Sequence, residues 1–174
     1  MTGAWEAVAR EAAVSEHGYA TYGALAWHSI SPLAVEAALL ARFGGSANAL
    51  TYVEQCARLL AGIHRDSTVY QRVSRAKTMP THSHAELALA FDICGDQADP
   101  AVVDGLMEIF RDRAIDNHRG DIPLLYYGSG ANVPLAQLLN AAVVALVWGE
   151  RCGHKRWQAV VDLGTTACRL FLRN

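Results

Sequence analysis

The stretch ANALTYVEQCARLLAGIH, Ala47 to His64, decides the fold. Leu50, Val53, Ala57, Leu60 and Ala61 recur three and four residues apart, the spacing that lines one face of an α-helix. No alternation of apolar and polar residues competes with it. Gly44-Gly45-Ser46 stands before the stretch, so the helix has a marked start as well as a pattern.

The same punctuation recurs along the chain. Ser31-Pro32, Thr81 to Glu86, Asp99-Pro100 and Asn132-Val133-Pro134 each set a side-chain acceptor or a proline where a helix begins. Gly44-Gly45, Gly95 and Gly120 close three of the runs, as a left-handed C-terminal residue does. Helices are expected over Trp5–His17, Tyr19–His28, Ser31–Phe43, Ala47–His64, a more polar Arg65–Lys77, a segment opened by a Ser83/Glu86 capping box, Asp99 to Gly120, Val133–Trp148 and Lys155–Leu172. In the Asp99 to Gly120 helix Val103, Leu106, Met107, Phe110 and Ala114 line one face. Ile122 to Tyr127 is the only segment that reads as extended, and one strand makes no sheet, so an ordered loop is expected there. The fold class is all-α, a bundle of about six to eight helices in a single domain spanning 1–174. Leu50, Leu60, Leu106, Phe110, Val144 and Trp157 belong to its core.

The chain has 174 residues, 52% of them hydrophobic, enough to bury a sizeable core. Its apolar maximum, Val133 to Trp148, falls short of the roughly 20 residues that a membrane span needs and contains Gln137 and Asn140. No membrane partner is expected. A formal charge of −2 argues against a surface devoted to nucleic acid. Cys56, Cys94, Cys152 and Cys168 form no C-x-x-C pair, which predicts reduced core thiols and a cytoplasmic setting.

Four places could carry chemistry. His82 and Glu86 stand four residues apart, a spacing that converges on a metal, but no facing E-x-x-H or H-x-x-x-H pair completes such a site. No metal site and no cofactor are expected. Arg113-Ala-Ile-Asp-Asn-His118 resembles the R-x4-6-H form of the all-helical HEPN ribonucleases. That resemblance implies Arg113 and His118 as catalytic residues for metal-independent RNA cleavage across a dimer interface. Arg10/His17, Arg58/His64, Arg75/His82 and Arg111/His118 share the loose spacing. Gly128, Ser129, Gly130 and Asn132 precede a helix N-terminus, where free amides can hold an anion; neither a phosphate-binding G-K-[ST] nor a dinucleotide G-x-G-x-x-G is present. Arg65, Arg72, Arg75 and Lys77 form a basic patch through which a nucleic acid could bind, and Arg151, Lys155, Arg156, Arg169 and Arg173 form a second basic run.

The functional expectation is a non-catalytic helical binding protein, a regulatory, adaptor or assembly subunit that contacts a protein partner or a second copy of itself as a homodimer. Ribonuclease activity at Arg113/His118 and nucleic-acid binding through the local basic patch are the two alternatives.

Overall fold

The computed structural model describes residues 32–65, 81–116 and 132–171. These form six α-helices: α1 (Pro32–Gly44), α2 (Ala47–Arg65), α3 (Thr81–Cys94), α4 (Pro100–Ile109), α5 (Asn132–Trp148) and α6 (Trp157–Phe171). A short 3-10 turn, Gly95–Gln97, follows α3, and a π-helical turn, Phe110–Ala114, extends α4. Among the described residues there is no strand. The fold is all-α. The expected helices at Trp5–His17 and Tyr19–His28, the segment beyond Arg65 and the loop at Ile122–Tyr127 lie outside the described residues.

The caps explain the boundaries. Asp99 accepts a hydrogen bond at Oδ1 from the Ala101 N–H (3.0 Å), with Pro100 in the first helical position. Its own N–H donates to Glu54 Oε1 (2.9 Å), and Arg58 bonds both Glu54 and Asp99, so α2 is tied to the start of α4. Gly45 (φ 64°) and Gly95 (φ 58°) take the left-handed conformation just past α1 and α3.

Helix α3 lies at the centre, with α1 on one side and α5 on the other. Leu87, Ala88, Ala90, Phe91 and Cys94 are all buried, which narrows the solvent face of α3 to a stripe through Leu89 and Asp92. Helix α5 joins it in the same core through Ala141, Val144, Ala145 and Trp148. The Trp148 indole Nε1–H donates to the Ala88 carbonyl (2.8 Å), satisfying a polar atom inside the core, and its ring meets Phe110 at a 54° tilt. Helix α6 closes on α5 at Gly164, where a β-carbon would stand 2.4 Å from that of Ala142.

Three expectations change. Helix α3 already runs from Thr81, two residues ahead of the Ser83 start expected from its spacing to Glu86. The single helix expected from Asp99 to Gly120 turns π at Phe110, and the buried face before that point is Val102, Leu106 and Ile109, with Val103 and Met107 at its margin. The last helix begins at Trp157, behind a turn over residues 149–156. Of the expected core, Leu60, Leu106, Phe110 and Val144 are buried, whereas Leu50 and Trp157 are half-buried against it. No helix among the described residues is long and apolar enough to cross a membrane.

Helix α1 is inverted. Its smallest residues, Ala34, Ala38 and Ala41, face the core, while Leu33 (55% exposed), Leu40 (60%) and Phe43 (81%) face outward with Leu39. The alanines let α1 approach α3 closely, and the outer face is left with large apolar side chains.

Candidate functional site

The π turn is the local feature that organises charge. The Ile115 N–H donates to the Phe110 carbonyl (3.2 Å), a bond spanning five residues where an α-helix spans four. The extra residue keeps Phe110 and Ala114 buried and turns Arg111, Asp112 and Arg113 outward in succession. Two clefts flank this triplet, and Asp112 lines both.

The first cleft, about 180 Å³, lies between α2 and the α4–π segment and is lined by Ala61, His64, Gly105, Glu108, Asp112 and Arg113, with Ile109 at its floor. His64 Nε2 meets His84 Nε2 of α3 at 3.0 Å. The ring centroids are 5.3 Å apart, as they must be when two imidazoles meet nitrogen to nitrogen along a line through both centres. That is a proton shared between two rings, one donating and one accepting, rather than two lone pairs angled onto one ion. Burial, then the neighbouring His84 and the Arg113 charge, lowers the His64 pKa from 6.5 to about 3. The imidazole is neutral at pH 7 and takes up no proton there.

The second cleft, about 470 Å³, opens on the other side of the π turn. Arg111 grips Asp112 with two hydrogen bonds, Nε to Oδ1 (2.7 Å) and Nη2 to Oδ2 (3.0 Å), which holds the Asp112 carboxyl below its ordinary range. Across the opening stands the 149–156 turn. Its Gly153 has φ 70°, and the His154 N–H donates to the Gly149 carbonyl (3.0 Å). The Arg156 N–H donates to His154 Nδ1 (3.3 Å), which puts the imidazole proton on Nε2, facing Asp116 Oδ1 at 3.6 Å. Nδ1 of this buried histidine is thereby engaged, while Nε2 stays just beyond hydrogen-bond distance of the Asp116 carboxyl.

Of the site residues expected from sequence, Arg113 alone has a described side chain, and it lines the first cleft with His64. His118, Gly128, Ser129, Gly130, Arg72, Arg75 and Lys77 lie outside the described residues; Asn132 opens α5 and Arg65 ends α2, with their side chains likewise outside. Arg58 is held by Glu54 and Asp99, and Arg111 by Asp112. Of the second basic run, Arg151 lies over the Trp148 ring at 4.2 Å, while Lys155 and Arg156 line the larger cleft. No group of three metal-ligating side chains occurs among the described residues. Cys56, Cys94 and Cys152 are buried and free, and burial raises all three thiols, Cys56 to about 11, so they are poor nucleophiles.

The His64–His84 pair escaped sequence reading because 20 residues separate the partners. A signal did exist. His64 continues the Ala57–Leu60–Ala61 stripe, and His84 begins the one that runs through Leu87, Ala88 and Phe91, so each histidine occupies a core-facing position.

Comparison with known proteins returns no match: no protein-family model, no curated protein and no solved structure resembles this chain.

Proposed function

We propose that the chain is a non-catalytic assembly subunit that binds a second copy of itself through the outer face of α1. The observation that carries this reading is the inversion of that helix, with alanines inward and Leu33, Leu39, Leu40 and Phe43 outward. Side chains of this size left in water forgo on the order of 1.5 to 3 kcal/mol each relative to full burial, so a partner surface has much to gain. The face suits its own copy. In an antiparallel, two-fold pairing Leu40 of each protomer meets Phe43 of the other, which brings Glu36 toward the partner's α2 N-terminus. The first turn of α2 has no acidic residue of its own, so the helix dipole there favours the incoming carboxylate.

The chemistry of the first cleft supports binding over proton transfer, because His64 is held neutral far below pH 7. Four free cysteines fit a reducing, cytoplasmic setting.

Light scattering tests the reading. Wild type should show twice the 18.8 kDa chain mass at micromolar concentration, and Phe43→Glu should return it to one chain while keeping its helical circular dichroism. A wild type that stays at one chain mass throughout, or a variant with unchanged dimer mass, contradicts it.

A further inference from the structure

We infer that the cleft between the π turn and the 149–156 turn is a binding site for a small phosphate monoester. None of the residues that line this cleft belongs to α1, so the site is separate from the face through which copies are proposed to associate.

Arg111 and Asp112 satisfy each other through their two short hydrogen bonds. Asp116 Oδ1 lies 3.6 Å from His154 Nε2, outside hydrogen-bond distance. Lys155 and Arg156 remain, both exposed, both lining the cleft, and neither ion-paired among the described residues. Two uncompensated cations side by side repel each other, an arrangement that an incoming anion relieves. A phosphate monoester at pH 7 has a charge near −1.5 to −2, which matches them, and its oxygens accept the bidentate fork of a guanidinium.

The cations are carried on a built frame rather than on a loose loop. The Cys152 N–H donates to the Trp148 carbonyl (2.8 Å), the Gly153 N–H to Glu150 (3.0 Å) and the His154 N–H to Gly149 (3.0 Å). Gly149 is held so close to Trp157 that a β-carbon there would fall 2.3 Å from that of the tryptophan. The bond from the Arg156 N–H to the buried His154 fixes the backbone that carries Arg156. A donor set positioned before the ligand arrives loses less entropy on binding.

Size selects the class. At about 470 Å³ the cleft falls within the range of small-molecule sites and leaves room for an organic group beyond the phosphate. Two cations without an ion-pair partner among the described residues line the cleft, enough to hold one phosphate group and too few to follow the backbone of a continuous polyanion, which disfavours a nucleic acid.

The test is isothermal titration calorimetry of the full chain with phenyl phosphate, glycerol 1-phosphate and inorganic phosphate, and, in a separate arm, with a single-stranded RNA oligonucleotide. The esters should bind, and inorganic phosphate should bind more weakly. In Lys155→Ala/Arg156→Ala affinity should fall by at least about tenfold, the loss expected when charge-assisted hydrogen bonds go, with chain mass and helix content unchanged. Arg169→Ala, a basic residue outside the cleft, should leave binding as it was. Absence of ester binding, equal affinity in the double variant, or binding of the RNA alone would overturn the inference.

Discussion

His64 and His84 share one proton across 3.0 Å between the end of α2 and the first turns of α3. This polar contact joins two helices whose packing is otherwise apolar, and it does so with rings that burial keeps uncharged. Its cost appears when pH falls. The folded-state pKa of His64 lies near 3 against 6.5 for the unfolded chain, so between those values the unfolded state binds a proton that the folded state refuses. Stability from this site is therefore fully present above pH 6.5 and declines as pH drops toward 3, by up to about 1.4 kcal/mol per pH unit. Urea denaturation at several pH values should show that slope, and His64→Leu/His84→Leu, which removes both partners together, should flatten it. An equal slope in the double variant would show that other groups cause it.

Helix contacts give a second prediction, in which two effects oppose each other. Gly164→Ala improves helix propensity by about 1 kcal/mol, yet its new β-carbon would meet that of Ala142, which is fixed to the α5 backbone and has no rotamer to escape into. The clash should win, for a net loss of about 1 to 3 kcal/mol by thermal denaturation. Leu106→Ala, emptying a fully buried position in α4, should cost about 2 to 5 kcal/mol. If Gly164→Ala raised the melting temperature, the α5–α6 approach described here would be wrong.

The helical framework was legible in the sequence for a physical reason: periodicity and caps are local. The Ala47–His64 stripe became α2 within a residue, and Asp99-Pro100 capped α4 as its residue types require. The site was much less legible. Arg111 and Asp112 face Lys155 and Arg156 across some forty residues of chain, and a π turn that inserts one residue leaves no mark in composition. The inversion of α1 was hidden for another reason, since hydrophobic count alone cannot say whether its alanines or its leucines turn inward.

RNA cleavage is the direct test of the Arg113/His118 alternative. Purified protein with mixed RNA in chelator should produce no cleavage, in wild type or in His118→Ala. Cleavage by wild type that disappears in the variant would establish a ribonuclease, because loss of a general acid or base lowers a rate by about two to four orders of magnitude.

Cross-linking at the outer face of α1 tests whether two copies meet there. The buried native thiols Cys56, Cys94 and Cys152 are raised by burial and react slowly, and with the partly exposed Cys168 replaced by serine in every variant a cysteine placed on the surface dominates mild oxidation. Leu40→Cys lies beside the two-fold axis of the proposed pair and should convert to a disulfide-linked dimer rapidly, whereas Gln55→Cys, exposed on α2, should remain largely monomeric under the same conditions. Equal, slow cross-linking of the two variants would contradict the assignment of α1 as the interface.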